Sequence, residues 1–213
     1  MKWNRIKKLV VFAMFGAVIF LLAFTPIGFI QLGFIKATIV HIPVIIGSIL
    51  LGPAMGAGLG FFFGVTSLIS NTMTPVVSSF VFSPFIPVPG TTGGSALSLL
   101  VCFVPRILVG ITPWLIYRGL QRLTKNRFHT AALAVAGVGG AMTNTLFVMH
   151  LIYFLFQDAY ATVQGVTAQA VYGIISSIIV ANGLPEALVA GILTAAICKA
   201  LLAALKKIPS AAH

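Results

Sequence analysis

Apolar stretches long enough to cross a lipid bilayer recur along the whole of this chain. A membrane-spanning helix needs about 20 mostly apolar residues, because it rises 1.5 Å per residue across a hydrocarbon core of roughly 30 Å. Charged residues make up only 7% of the 213 residues, whereas soluble domains average about 25%. The sequence therefore predicts one all-α membrane domain over residues 1–213. It excludes an ordinary soluble enzyme, a disordered chain and a disulfide-stabilised scaffold.

Six spans are predicted from the apolar runs and from the prolines and glycines that interrupt them. They cover residues 6–25, 37–52, 53–72, 97–118, 129–156 and 183–205. Only Gly52 and Pro53 separate the second span from the third. A further apolar segment, 171–181, is too short to cross. We interpret it as a half-helix or re-entrant segment that ends at Gly183, since glycine commonly follows the last residue of a helix.

The distribution of charge predicts the orientation of the bundle. With six spans and a cytoplasmic N-terminus, 11 of the 13 Lys and Arg residues fall on the cytoplasmic side, which is the bias that the positive-inside rule describes. Lys36, Arg106 and the two acidic residues, Asp158 and Glu186, fall toward the outer side. We therefore expect both termini inside a bacterial plasma membrane. The net charge of +11 then reflects orientation rather than binding to nucleic acid.

The outer connections are predicted to be longer than the inner ones, at residues 26–36, 73–96 and 157–175. The segment 73–96 contains four prolines, three glycines and three phenylalanines. It is too apolar for a free linker, and long loops inside compact domains usually have a function. We expect it to fold back over the outer end of the bundle as a lid.

Polar side chains within the spans are few, and the predicted topology places them at a common depth. Such groups are costly in a membrane and are functional candidates for that reason. They are Asn71, Thr72, Arg106, Asn144, His150, Asn182 and Glu186, with Lys36 and His41 beside them. Their shared position in the outer half predicts a polar pocket that opens to the outside beneath residues 73–96.

Each charged or ionisable candidate also has a structural interpretation. Arg106 either receives an anionic group of a ligand, because its planar fork suits a carboxylate, or pairs with Asp158 or Glu186. Glu186 either contributes to the pocket or has a structural role, as a helix cap or as the ion-pair partner of Arg106. His41 and His150 are more often satisfied core histidines than ligand contacts.

Small residues spaced four apart mark helix faces that can approach a neighbour closely. The third span carries glycines at 52, 56, 60 and 64, and the sixth carries Ala187, Gly191 and Ala195. We interpret both as packing faces inside the bundle. The first span has Ala13 and Ala17 in the same arrangement, and this face is a candidate for contact with another subunit.

Motifs of ATP-driven pumps and membrane enzymes are missing from the sequence. It contains no G-x-x-x-x-G-K-[ST] loop and no H-E-x-x-H motif. Ser67 with His41 or His150 would resemble a serine protease, but no G-x-S-x-G context supports that arrangement. The sequence favours a binding and transport subunit that is not an enzyme and has no cofactor of its own. A membrane-embedded protease or lipid transferase and a stand-alone carrier or channel are the alternatives.

Over essentially its whole length, the chain resembles the substrate-binding S components of energy-coupling factor (ECF) vitamin transporters. The basic N-terminus, Ala13 and Ala17, the run at 33–72 and the NGLPEAL sequence that opens the last span carry this resemblance. It implies tight binding of a vitamin in an outward-facing pocket. It also implies docking, through the Ala13 and Ala17 face, onto a transmembrane coupling protein and two cytosolic ATPase subunits that use the ATP. The first-span motif is interrupted at Phe20 and Leu21, where the docking face is undefined.

Among S components, the chain is most similar to the pantothenate-specific type. This similarity implies a small anion whose carboxylate would be taken by Arg106, while Asn71, Asn144 and Asn182 would bind its amide and hydroxyl groups. A site built to hydrogen-bond such groups discriminates against analogues that lack them. Another vitamin or precursor, such as a thiamine precursor, a folate or a cobalamin, is the alternative ligand.

The resemblance also implies that the phenylalanines of the lid close over the ligand and exclude water; they are Phe80, Phe82 and Phe85. The complete predicted substrate-binding set is Asn71, Thr72, Phe82, Arg106, Asn144, His150, Asn182 and Glu186.

Overall fold

Helices dominate the computed structural model, which describes residues 4–25, 29–32, 35–125 and 127–207. Within that part, five helical stretches are long and apolar enough to cross a membrane. The helices are α1 (Arg5–Phe24), α2 (His41–Leu51), α3 (Pro53–Met73), α4 (Leu97–Leu123), α5 (His129–Gln164), α6 (Val171–Ile178) and α7 (Leu184–Lys207). Lys2 and the side chain of Lys36 lie outside the described part.

The predicted second span, 37–52, is wrong in its boundaries. Its first residues form a strand, β2 (Ile35–Thr38), which pairs antiparallel with β1 (Phe29–Leu32). Helix α2 then begins at His41 and has only 11 residues, or about 16 Å at 1.5 Å per residue. That is roughly half the thickness of the hydrocarbon core. Ala37 and Thr38 run into the residues of α2 with no proline or glycine between them, so the sequence carries no signal that separates this strand from the helix.

The predicted break between α2 and α3 is confirmed at Gly52 and Pro53. Gly52 has a φ of 95°, a conformation that is inexpensive only for glycine. Pro53 is the first residue of α3, where its fixed φ suits a helix and its missing N–H would have had no partner. The chain therefore reverses within two residues, and α2 packs against α3.

Helices α3 and α4 approach each other closely at the glycines that are spaced four residues apart along α3. A methyl group on Gly56 would overlap the carbonyl oxygen of Gly110, and one on Gly60 would overlap the carbonyl oxygen of Arg106. One turn later, a methyl group on Gly64 would lie 2.6 Å from the Phe103 ring. Gly56, Gly60 and Gly64 therefore form the predicted internal packing face, whereas a methyl group on Gly52 would meet no atom within 4 Å.

The small residues of the last helix also pack internally, as predicted. Ala187 and Ala195 are buried. Opposite them on α5, a methyl group on Gly137 would lie 2.8 Å from the Ala190 carbonyl oxygen and 2.9 Å from the Gly191 Cα. Helix α7 is therefore held against α5 by backbone-to-backbone contact.

The predicted break at Gly183 is wrong, because the chain continues through a π-helical turn, Ile179–Gly183, directly into α7. Residues 168–204 form one continuous helical stretch rather than a half-helix and a separate span. A π turn accommodates one extra residue without ending the helix, and such turns are frequent at functional sites.

The predicted outer connection 157–175 is also mostly helical. Helix α5 extends past its predicted end at 156 to Gln164, with a kink at Phe156 (φ −135°, ψ 24°). Gly165, with a φ of 65°, ends it in the left-handed conformation. Since the turn after it is short, α5 and α6 join with only a few non-helical residues between them.

Residues 73–96 pack against the end of the bundle at which α3 finishes and α4 begins. Their centre is a 3₁₀ turn, Ser79–Val81, whose three residues are all buried. Phe80 and Val81 join a second core cluster with Val101 and Val148. By contrast, Phe85 is 72% exposed, so only part of this segment is fixed to the bundle.

Candidate functional site

A cavity of about 620 Å³ lies inside the bundle, toward the end covered by residues 73–96. Its wall includes residues of α1, α3, α4, α5, α6, the π turn and α7. Volumes of roughly 300–1,000 Å³ are typical of sites for small organic ligands. Its polar lining consists of Thr66, Ser67, Ser70, Asn71, Thr74, Arg106, Asn144, Thr145, Asn182 and Glu186.

Six of the eight predicted substrate-binding residues line this cavity, although they come from four separate parts of the chain. They are Asn71, Phe82, Arg106, Asn144, Asn182 and Glu186. Thr72 and His150 do not line it. The Thr72 hydroxyl donates to the Leu68 carbonyl at 2.7 Å and contacts the Ser83 hydroxyl at 2.8 Å. A ring nitrogen of His150 lies 2.7 Å from the Leu146 carbonyl.

Arg106 brings a positive charge into the cavity wall, where it is only 7% exposed. Its position follows from Pro105, which lacks an N–H and so leaves the carbonyl of Val101, four residues earlier, without its helical partner. The Arg106 Nη1 donates to that carbonyl at 2.8 Å. The Nε has no hydrogen-bond partner among the described residues.

Two aromatic rings flank the Arg106 guanidinium. Its central carbon lies 4.8 Å from the centre of the Phe82 ring and 5.6 Å from that of Phe63. A cation over a ring face is attracted electrostatically, and more strongly where water is excluded. The two rings and the Val101 carbonyl hold the guanidinium in the cavity wall, while its Nε has no protein partner among the described residues. No other Lys or Arg of the described chain lines the cavity.

Asn144 supplies a group of the opposite kind. Its Oδ1 is buried and accepts no hydrogen bond from the residues that the structure describes. Buried acceptors are almost always paired in native proteins. Arg106 and Asn144 thus each bring to the cavity wall a side chain with a polar atom that the described protein groups leave unpaired, so the wall fits a ligand that carries both an acceptor and a donor.

The π turn contributes Asn182 and Gly183 to the wall, and Glu186 follows on the first turn of α7. Gly183 is in close contact with α5, since a methyl group in its place would lie 2.8 Å from the Thr145 Cγ2. The missing side chain at Gly183 thus allows the π turn to lie close to α5, which carries Asn144.

Asn71 differs from the other amides because both of its polar atoms already have partners. Its Nδ2 donates to the Ser67 carbonyl at 2.8 Å, and its Oδ1 accepts from the Ser79 hydroxyl at 2.9 Å. The amide therefore connects α3 to residues 73–96.

Several cavity residues were missed in the sequence, namely Thr66, Ser67, Ser70, Thr74 and Thr145. On α3 a signal was available. Ser67 precedes Asn71 by four residues and therefore shares its helix face. Hydroxyl side chains were overlooked because they are inexpensive in a membrane helix, where they can bond their own backbone, as Thr66 does to the Phe63 carbonyl at 2.9 Å.

His41, which the sequence analysis considered as a possible ligand contact, does not line the cavity. It is 2% exposed at the start of α2, and neither ring nitrogen has a partner among the described residues. Its neighbour Val40 lines the cavity instead.

The face of α1 predicted for contact with another subunit is open. Ala13 and Ala17 are exposed, as are the larger apolar side chains of Val10, Met14 and Leu21 around them. Of the three helices with small residues four apart, α1 alone leaves that face uncovered in the described structure.

A family model described as "ECF transporter, substrate-specific component" matches residues 7–198, a range that includes every residue of the cavity wall. The chain belongs to this family. The resemblance predicted from the sequence is thereby confirmed, and the protein is a multi-pass membrane component of a transporter family rather than of an enzyme family.

Two curated relatives are similar in sequence to this S component over most of its length. The pantothenic acid transporter PanT of Lactococcus lactis subsp. cremoris (strain MG1363) is 39% identical over 167 residues, which is 78% of each chain. The pantothenate transporter PanT of Leuconostoc mesenteroides subsp. mesenteroides is 30% identical over 206 residues, or 93% of this chain and 94% of the relative.

Proposed function

We propose that this S component binds pantothenate for an ECF-type importer in the bacterial plasma membrane and that ATP is used by its partner subunits. The names of the two relatives support the substrate. The cavity supports it independently, because pantothenate is a small anion with a carboxylate, an amide and two hydroxyl groups. The chain itself acts as the binding subunit and carries out no covalent chemistry.

The observation that carries this proposal is the unpaired Nε of Arg106 in the cavity wall. A charged donor that is removed from water and lacks an acceptor is costly. A ligand carboxylate supplies the acceptor and the opposite charge. The Asn144 Oδ1 then accepts from a hydroxyl or amide N–H of the same ligand, with Asn182 and Glu186 completing the polar wall.

Six passes with both termini inside form part of the proposal. Ala23, Val40 and Thr74 all line the same cavity, so α1 ends, α2 begins and α3 ends at one side of the bundle. Helix α2 must therefore run away from that side and serves as the sixth pass despite its length. Described cations cluster at the opposite ends of the helices, for example Arg5, where α1 begins, and Arg122, near the end of α4. This distribution of charge supports an outward-facing cavity.

The exposed face of α1 is the proposed contact with the transmembrane coupling protein. Helices in a membrane associate where small residues allow their backbones to approach, and the face around Ala13 and Ala17 offers such a surface. Two cytosolic ATPase subunits complete the proposed complex.

Binding of labelled pantothenate to the purified chain in detergent tests the proposal. We expect saturable binding near one pantothenate per chain. Arg106→Gln should weaken it by about ten- to a hundredfold, since a hydrogen bond to a charged group contributes roughly 1.5–3 kcal/mol. Arg118→Gln is the matched control: this arginine lies on the same helix, is exposed and stacks on Trp114 at 4.7 Å, so binding should stay at the wild-type level.

Full affinity in the Arg106→Gln variant would remove the carboxylate role of this residue. If the wild-type chain bound no pantothenate, the substrate would be wrong. Mass spectrometry of the co-purified ligand would then test a thiamine precursor, a folate and a cobalamin. Uptake that needs no ATP would indicate a stand-alone carrier.

A further inference from the structure

A short chain of hydrogen bonds ties residues 73–96 to the cavity wall. The Ser79 hydroxyl donates to Asn71 Oδ1 at 2.9 Å and accepts from the backbone N–H of Val76 at 2.9 Å. On the other side of the amide, Asn71 Nδ2 donates to the Ser67 carbonyl at 2.8 Å. Ser79 is 0% exposed and does not line the cavity. Any effect it has on a ligand must therefore act through its neighbours.

Phe82 is the neighbour that matters, because it covers the charged group of the site. Its backbone N–H donates to the Ser79 carbonyl at 3.0 Å, so the 3₁₀ turn sets where Phe82 lies. Its ring centre is 4.8 Å from the guanidinium carbon of Arg106. A second tie between the Thr72 and Ser83 hydroxyls, at 2.8 Å, fixes the chain just after Phe82.

We infer that Asn71 and Ser79 form a latch that positions Phe82 against Arg106 and thereby sets the preference of the site for a ligand with a carboxylate. The inference rests on the proposed function and deepens it. Asn71 is then a positioning residue, since the latch occupies its Oδ1, rather than one of the amides that contact the ligand. Phe82 strengthens the charge interaction at Arg106 by keeping water from the guanidinium.

The test compares pantothenate with panthenol, the neutral analogue in which a CH₂OH group replaces the carboxylate. Ser79→Ala removes the latch hydroxyl without touching the cavity wall. It should weaken pantothenate binding by about three- to tenfold, the range expected for losing one hydrogen bond and weakening the cation–π contact between Phe82 and Arg106. Binding of panthenol, which does not pair with Arg106, should change by less than about twofold on the same reasoning.

Two further variants separate a latch from a ligand contact. Asn71→Ala should give the same loss as Ser79→Ala, and the double variant should be no worse than either single change, because both remove one interaction. Ser78→Ala is the matched control, since this neighbouring hydroxyl makes no capping hydrogen bond to the turn. Its affinity for both compounds should equal that of the wild type.

Hydrogen exchange of the ligand-free chain gives a readout that needs no substrate. The amides of Phe82 and Ser83, which both donate to the Ser79 carbonyl at 3.0 Å, should exchange faster in Ser79→Ala and at the wild-type rate in Ser78→Ala. Faster exchange together with a loss restricted to pantothenate supports the latch. Unchanged exchange, an equal loss for both compounds, or additive losses in the double variant would overturn it. If the wild type bound neither compound, the proposed function would fail, while the exchange rates would still decide whether the latch exists.

Discussion

Gly60→Ala should weaken ligand binding from a position that never touches the ligand. A methyl group at residue 60 would overlap the Arg106 carbonyl oxygen, and it would lie 2.8 Å from the carbonyl carbon and 2.9 Å from the Ile107 Cα. Since carbon atoms pack at about 3.5–4.0 Å, helices α3 and α4 must separate by roughly 1 Å. Arg106 is then displaced from Phe82 and from the ligand carboxylate. We expect the affinity for pantothenate to fall by about ten- to a hundredfold, the range for a charged hydrogen bond.

Gly56→Ala provides the control because it disturbs the same pair of helices one turn away. Its methyl group would overlap the Gly110 carbonyl oxygen, so both variants should lose stability by about 1–3 kcal/mol from overpacking. The assays are a thermal unfolding scan in detergent and a binding isotherm for labelled pantothenate. Two variants with equal losses of both stability and affinity would refute the reasoning, as would wild-type affinity in Gly60→Ala.

Two other perturbations follow from close contacts and exposed surfaces. Gly183→Ala should weaken pantothenate binding by about tenfold, because its methyl group would lie 2.8 Å from the Thr145 Cγ2. Adding Thr145→Ser removes that Cγ2 and should restore most of the affinity in the same binding isotherm. If the affinity is not restored, this contact is not the cause of the loss. Leucine at both Ala13 and Ala17 should abolish co-purification with the coupling protein while binding of pantothenate to the isolated chain stays unchanged, and Ala196→Leu, at an exposed alanine of α7, should leave both intact. Retained co-purification in the Ala13 and Ala17 variant would place the docking surface elsewhere.

The sequence was sufficient for features that depend on local chemistry. Apolar length predicted most of the long helices, and the Gly52–Pro53 pair predicted a sharp reversal because only glycine adopts its φ of 95° cheaply. The glycines of α3 predicted close packing, which the contact of Gly60 with α4 confirms. The amide and charged groups within the membrane predicted half of the polar residues of the cavity wall, since burying each of them costs free energy unless it has a function or a partner.

Other features depend on contacts between distant residues and were not predictable in this way. The two strands before α2 have only four residues each, and the π turn at Ile179–Gly183 continues the helix before it. Both are too short for hydrophobic periodicity to identify them. Thr72 adjoins Asn71 in sequence, but a step of one residue rotates its side chain by about 100° around the helix. It therefore contacts Ser83 while Asn71 faces the cavity.

What the cavity offers a ligand is decided by what the protein's own groups leave unpaired. Pro105 frees the Val101 carbonyl, and Arg106 donates one N–H of its Nη1 there, whereas its buried Nε has no partner among the described residues. Asn71 has partners on both polar atoms, whereas the buried Oδ1 of Asn144 has none among the described residues. Two asparagines that look equivalent in the sequence therefore differ in role. Asn71 fixes residues 73–96 to α3, whereas Asn144 has an acceptor that a ligand can fill. A ligand with a carboxylate and a nearby hydroxyl or amide N–H satisfies Arg106 and Asn144 together, which is why these two residues define the proposed site.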